Sequence, residues 1–429
     1  MATNISRRQA MGIFGMVGLG AALTACAGPG GGAARPASGL GGPSAGAVQG
    51  EVSFAHWRAE DKDAFDALIK KFVAQNPQAG VAQSISTSND YNTQALQKLR
   101  GGSTGDAFAT FRGAQFTNFG TAGIYSDLTD TDAVKNYDPG LLSAGQAKGR
   151  QLGLPYQVVF PMPLANLDLF DKAGADPAPK DWAGFLGACD DLKRSGVSPM
   201  AWPAGDVGNA GQLFNSMIAN NAPADDMCSQ IEKGTLACTD DWFITMLKQY
   251  RELVPYFQPN STGTAVEPAQ ALFAQQQAAM LVTGSYHLAA VRGLGVEFPM
   301  GLIFPNTTTK GTSKYEGVYN ATFILGVNSA SEKQPAALAW IDFLSQPENA
   351  ASYANATAQH VTVKDVEYSN TDLKNTSPWL SKKTALAARF QFENLDVRNA
   401  VEASCIAVVA GTDPEKAAAD AQTVVDQNK

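Results

Sequence analysis

The stretch EVSFAHWRAEDKDAFDALIKKFVAQNP, residues 51–77, decides how the rest of the chain is read. Its opening, Glu51 to Trp57, has the aliphatic and aromatic content of a strand. From Asp61 the period changes. Phe65, Leu68, Ile69 and Phe72 recur at helical spacing and form one apolar face. A second strand follows at VAQSIST (81–87), then a helix at DYNTQALQKLRGG (90–102) stopped by two glycines, then a third strand at DAFATF (106–111). The order β-α-β-α-β predicts an α/β fold with a mostly parallel sheet covered by helices.

The middle of the chain is more helical, with DWAGFLGACDDLKRSG (181–196), NAGQLFNSMIANN (209–221), DWFITMLKQYRELV (241–254) and PAQALFAQQQ (268–277). Strands return at AAMLV (278–282), MGLIF (300–304) and ATFILGV (321–327), before the helix KQPAALAWIDFLSQ (333–346). Two strand groups parted by a long helical section are expected when a chain crosses between two lobes more than once. Open α/β sheets bind ligands beyond the carboxyl ends of their strands, so two facing lobes make a cleft there.

The chain begins with Arg7 and Arg8 before an uncharged run, Gln9 to Leu23, that ends in LTAC (23–26). A basic start, a short apolar core and small residues at the cut site make residues 1–25 an export signal, twin-arginine-like in its first residues. The run is too short and too rich in Gly and Ala for a membrane span. Cys26 stands at the cut site, which resembles a bacterial lipobox and implies a lipid on its sulfur. Residues 26–50 are rich in Gly, Ala, Pro and Ser with almost no charge, the composition of a flexible tether with a reach of about 25–30 Å. The motif GPSAG (42–46) matches the serine-hydrolase pattern but lies in this tether, without the strand and helix that pattern needs.

Roughly 380 residues follow from Glu51, enough for two domains. The formal charge of −8 becomes more negative by two once Arg7 and Arg8 leave, and basic residues are not clustered, which argues against nucleic acid as a partner. Four cysteines remain after Cys26. Cys228 and Cys238 bracket a short loop and are the expected disulfide, and no C-x-x-C motif points to zinc or redox chemistry.

Several segments carry a more specific resemblance. FAHW (54–57), GIYSDLTD (123–130) and LGLPY (152–156) come in the right order; PLANLDLFDKAGADPAPKDWAGFLGACDDLK (163–193) and ALFAQQQAAMLVTGSY (271–286) are the specific ones. From Glu51 to about Lys364 the body resembles the extracellular solute-binding proteins of bacterial ABC importers, in the sugar-type family that includes maltodextrin-binding proteins. The resemblance implies a two-lobed periplasmic-binding-protein-like fold of type II. The expected lobes are 51–157 with 296–333, and 158–295 with 334–429. It also implies a sugar ligand, ABC permease subunits as partners, a monomer, and anchoring to the outer face of the cell membrane through Cys26.

A sugar offers apolar C–H faces and in-plane hydroxyls, so its site needs aromatic surfaces and polar groups on loops after strands. Trp57 follows the first strand, and Glu60 and Asp61 follow it; in the resembled family this loop touches ligand. Arg112 ends the third strand with a fork of donors suited to vicinal hydroxyls or a carboxylate. Gln157 follows LPY near the crossing between lobes. Trp202, after VSPMA (197–201), stands where the family's second lobe supplies an aromatic. Tyr286 follows AAMLV behind Gly284, which is read as allowing a sharp turn. Tyr319 and Asn320 precede the strand ATFILGV. Trp182, Trp242 and Trp340 read as packing residues.

The three histidines, His56, His287 and His360, show no metal-ligand spacing, so no metal and no cofactor is expected, and His287 reads better as a sugar contact. The adjacent acids Asp225–Asp226 and Asp240–Asp241 diverge in direction and look like helix starts, not an acid/base pair. Asp127 to Asp132 lacks the glycine and final glutamate of a calcium loop. No P-loop is present, so an importer's ATPase must be another polypeptide. The expectation is a membrane-tethered, non-enzymatic receptor for a mono- or oligosaccharide. The alternatives are a same-fold receptor for a polyamine, amino-acid derivative or metal chelate, and a secreted glycosidase.

Overall fold

A computed structural model describes residues 42–429 except 103, 206 and 310. The expected export signal, Cys26 and the tether up to residue 41 lie outside the described residues. From residue 42 the tether's end is held against the body: the Ser44 N–H donates to Gln334 Oε1 at 2.7 Å.

The opening βαβαβ unit forms as its periodicity predicts. Strands β1 (Gly50–His56), β2 (Ala79–Ile85) and β3 (Ala107–Thr110) lie parallel in the order β3-β1-β2. Helices α1 (Lys62–Gln75), α2 (Ser88–Leu99) and α3 (Ala114–Thr121) cover them. Phe65, Leu68 and Phe72 of α1 are buried as expected of its apolar face. Beyond β3 the sheet turns mixed. A hairpin, β4 (Gln146–Ala147) with β5 (Arg150–Gln151), precedes β6 (Leu154–Val159). The long β11 (Gly317–Val327) then runs antiparallel to both β3 and β6, and β12 (His360–Val361) antiparallel to β6. Strand β13 (Thr384–Leu386) adds to the start of β11.

The second sheet is smaller, in the order β10-β7-β9-β8, from β7 (Leu164–Asn166), β8 (Ser198–Ala201), β9 (Ala278–Leu281) and β10 (Met300–Leu302). Its helices are α4 (Leu167–Ala173), α5 (Trp182–Arg194), α6 (Val207–Ile218), α7 (Met227–Glu232), α8 (Asp241–Leu253), α9 (Val266–Ala274) and α10 (Leu288–Gly293), joined by the C-terminal α14 (Leu395–Val409) and α15 (Pro414–Gln427). Each sheet has its own apolar core, Phe54, Trp340 and Tyr353 among the members of one, and Trp202, Phe214 and Val401 of the other.

The lobe boundaries differ from expectation in two places. Residues 300–302 belong to the second sheet, where β10 pairs with β7. Conversely, α11 (Gln334–Leu344) and α12 (Pro347–Thr357) pack on the first sheet, with Trp340 edge-on to Phe54 and Tyr353 beside Phe65. An amphipathic helix declares that it has a buried face but not which sheet receives it. The short α13 (Thr371–Thr376) is tied to the second lobe by Asp372, which pairs with Arg292 at 2.7 Å.

The expected Cys228–Cys238 disulfide is not formed. Both are free buried thiols, as are Cys189 and Cys405. Cys228 Sγ faces the Ala388 carbonyl at 3.3 Å, while the residue 238 backbone is held by Gln422 of α15, so each sulfur fills an apolar niche of its own.

Candidate binding cleft

A cleft of about 510 Å³ opens where the carboxyl ends of β1, β2 and β3 meet the second lobe. The first lobe contributes Trp57, Glu60 and Arg58 after β1, the start of α2, and Phe111 with Arg112 after β3. Asn320 and Thr322 of β11 and Gln157 of β6 also line it. The second lobe contributes Gln212 of α6, Glu267 of α9, Tyr286, His287, Arg389, Phe390 and Arg398. Six sequence-derived candidates are thus brought together: Trp57, Glu60, Arg112, Gln157, Tyr286 and Asn320.

The aromatic surface is built first. Trp57 and Phe111 stack with centroids 3.6 Å apart and planes at 24°, although they lie on different strand ends. Phe323 packs behind Trp57 at 5.0 Å. It has a left-handed φ of 51° and is skipped by the β6–β11 register, which pairs Thr322 with Gln157 and then Ile324 with Pro155. A non-glycine residue in the left-handed region costs about 1–3 kcal/mol, and such residues cluster at functional sites. Here it sits immediately beside the cleft-lining Thr322.

The turn of residues 284–287 is pinned to the first crossing between lobes. The Ser285 N–H donates to the Phe160 carbonyl and the Phe160 N–H to Ser285 Oγ, both at 3.0 Å. Gly284 is needed for room, not for φ. Its φ of −169° is ordinary extended backbone, whereas an added Cβ would lie 2.4 Å from the Tyr286 ring and 3.0 Å from the Phe160 oxygen. Tyr286 and His287 stand edge to face, centroids 4.6 Å apart, over the cleft.

Polar atoms on this floor lack partners among the described residues: Tyr286 Oη, His287 Nδ1, Asn320 Oδ1 and Nδ2, and Thr322 Oγ1 are buried and make no hydrogen bond. Burial pushes the Tyr286 phenol well up, and burial with the nearby Arg58 charge pushes the His287 imidazole down to about 3. Both are therefore neutral, hydroxyl- and amide-like hydrogen-bonding groups at ordinary pH. Buried polar groups are nearly always satisfied in proteins, so such a cluster marks where a ligand's own polar atoms belong.

Charges behind the floor fix the geometry. Arg58 is buried, pairing with Asp61 at 2.8 Å and Glu60 at 2.9 Å, and its guanidinium reaches the Tyr286 carbonyl at 3.4 Å. Asp61 is fully buried and also accepts from Tyr353 and Gln157, so it positions Arg58 and does not reach the cleft as expected. The Gln157 amide nitrogen is engaged with Asp61 and Tyr353 although the residue lines the floor. On the far side Arg389 pairs with the buried Glu402.

Two further expectations are corrected. Trp202 is fully buried in the second core, stacked on Phe257 at 4.7 Å. Gln258 clamps its backbone by accepting from the N–H at 2.7 Å and donating to the carbonyl at 2.9 Å, which turns the ring inward. Tyr319 lines a separate cavity of about 440 Å³ and meets the cleft only through a hydrogen bond from Arg112 to its phenol oxygen. Of the histidines only His287 lines the cleft; His56 bonds Gln83 at 3.1 Å and His360 bonds Thr376 at 2.9 Å. No group of potential metal ligands occurs among the described residues. Sequence reasoning missed Arg58, Arg389, Phe390 and Arg398. The last three lie in a segment with no strand-end signal, and Arg58 was hidden beside the acids that hold it.

Known structures have the same fold. A chitin oligosaccharide binding protein superimposes with TM-score 0.76 at 22% identity, over 88% of this chain and 98% of that one. The bacterial solute receptor AcbH, described as having an exclusive preference for β-D-galactopyranose, gives 0.78 at 18%, over 88% and 98%. A sugar transporter from Bacillus licheniformis in complex with stachyose gives 0.74 at 18%, over 89% and 100%. No curated protein sequence is matched. The family of bacterial extracellular solute-binding proteins matches across residues 58–351, and the chain belongs to that family.

Proposed function

We propose that this protein captures a mono- or oligosaccharide in the cleft and delivers it to the permease of an ABC importer, held at the outer face of the membrane by a lipid on Cys26. The observation that carries this reading is the floor of neutral, unpartnered donors and acceptors, Tyr286, Asn320 and Thr322, facing the Trp57–Phe111 aromatic pair. Such a set suits hydroxyls in the plane of a ring and C–H groups on its faces. The ligands named for the structural neighbours, chitin oligosaccharide, β-D-galactopyranose and stachyose, support the same class. Family membership supports export; the N-terminal arginines and LTAC motif support the lipid anchor.

Capture follows from two lobes sharing one site. Ligand held by Asn320 and Thr322 on one lobe gains Tyr286 and Phe390 contacts from the other only when the lobes close. The population shifts toward closure by the difference in affinity for the two states, and the permease reads the closed form. A polyamine reading is disfavoured because, among the described residues, four arginines line the cleft against two acids, Glu60 and Glu267. A glycosidase reading is disfavoured because Glu60 is ion-paired to Arg58.

The test is a thermal-shift screen of the exported protein against saccharides and, in parallel, polyamines, amino acids and metal chelates. A saccharide that raises the melting temperature and is recovered unchanged supports the reading. A shift from a non-saccharide only, or turnover of a glycoside, contradicts it.

A further inference from the structure

The cleft's arginines are not equivalent. Arg58 is held by two carboxylates and Arg389 by Glu402. Arg112 and Arg398 also line the cleft but make no ion pair among the described residues. Among the described residues Arg112 bonds only the phenol oxygen of Tyr319. Arg398 reaches the side-chain oxygen of its neighbour Asn399 at 3.2–3.4 Å and feels the Glu402 charge at longer range. Both are partly buried, and desolvation pushes both guanidiniums down, Arg398 to about 10 with Arg389 adding to the effect. Among the described residues, the acids lining the cleft do not answer them. Glu60 is engaged with Arg58, and Glu267 is exposed at the start of α9.

The two arginines come from opposite lobes, Arg112 from the loop after β3 and Arg398 from α14. That loop touches the second lobe. Gly113 has φ +84°, and a Cβ there would lie 2.8 Å from the Phe390 carbonyl oxygen, one residue from Arg389. Closing the lobes therefore drives uncompensated positive charge into a confined space, which is unfavourable unless an anion enters with it. The surplus is local, because the whole chain is acidic at −8.

We infer that the saccharide taken by this cleft carries an acidic group, a carboxylate or a sulfate ester, bound between Arg112 and Arg398. This rests on the saccharide reading above and narrows it. The sugar's neutral ring meets the aromatic pair and the Tyr286–Asn320–Thr322 floor, while the planar guanidiniums supply charge-assisted donors to the anion. An acidic ligand also couples recognition to closure, since it is the group that removes repulsion between the lobes.

The experiment is calorimetric titration of matched pairs: D-galacturonate against D-galactose, D-glucuronate against D-glucose, the corresponding uronate and neutral disaccharides, and galactose 6-sulfate. An acidic member is expected to bind at least about tenfold tighter than its neutral parent, and its affinity to fall between about 50 and 500 mM NaCl while the neutral sugar's does not. The uronate and sulfate arms identify the anion. Arg112→Gln and Arg398→Gln should each weaken the acidic sugar more than its neutral parent and so bring the ratio toward one; where a variant does not fold, the salt dependence of the unmodified protein decides. Equal or tighter binding of neutral sugars, without salt dependence, overturns this inference and leaves saccharide capture standing. Failure of every saccharide alongside binding of a non-saccharide overturns both.

Discussion

At the scale of single residues the cleft floor stores a conflict between stability and binding. Tyr286 Oη and Thr322 Oγ1 are buried without partners among the described residues, and a buried unsatisfied group costs about 1–3 kcal/mol. Tyr286→Phe and Thr322→Val remove that cost while keeping shape. Each is expected to raise the melting temperature of the unliganded protein and to weaken saccharide binding by about three- to tenfold, the worth of one hydrogen bond. Opposite signs in a thermal melt and a titration are the signature; a variant that lowers both marks a packing role for the residue. These positions were legible because strand ends announce them: Tyr286 after the AAMLV run, Asn320 at the head of ATFILGV. Trp202 was misread for the converse reason. A tryptophan after a strand looks the same in sequence whether it faces ligand or core, and here the side chain that decides, Gln258, lies far along the chain.

At the scale of elements, the join between β1 and α1 is held by one charge cluster. Arg58, whose side chain is 5% exposed, sits between Glu60 and the fully buried Asp61 and reaches across to the Tyr286 carbonyl. Removing one member of a buried pair strands the other, so Arg58→Met should cost about 3–5 kcal/mol in denaturant unfolding. Adding Asp61→Asn should restore much of it. If the double variant is as unstable as the single, the cluster is not the source. The opening βαβαβ unit was readable because its period switches cleanly from two to 3.6. The assignment of α11 and α12 to a lobe was not readable, since Trp340 and Tyr353 only require some core. The left-handed backbone at Phe323 left no trace either, because it occurs without the glycine that would have flagged it.

At the scale of the molecule, the three histidines make stability depend on pH. Burial holds His56 and His360 near 4 and His287 near 3, against about 6.5 in an unfolded chain. Folding therefore favours their neutral forms. Stability is complete above about pH 6.5 and falls as pH drops toward 4, because the unfolded state takes up protons first. Asp342, raised by burial to about 6, and Glu232, also raised by burial, act in the opposite sense below about pH 6, but two groups oppose three. The melting temperature should decline from pH 7 to 4.5; a flat or rising profile contradicts this. The two-lobed plan itself was visible from two strand groups separated by helices. The cleft's second wall was not, since Arg389 and Arg398 come from the C-terminal helical region with no motif of their own.

The central claim is that a saccharide sits between the Trp57–Phe111 pair and the Tyr286–Asn320 floor. Calorimetric titration of the unmodified protein and of Tyr286→Ala with the best saccharide from the screen tests it most directly. The account predicts one saturable site and a loss of at least about tenfold in affinity in the variant, with the fold intact by circular dichroism. A saccharide that binds both proteins equally would place the site elsewhere and contradict it.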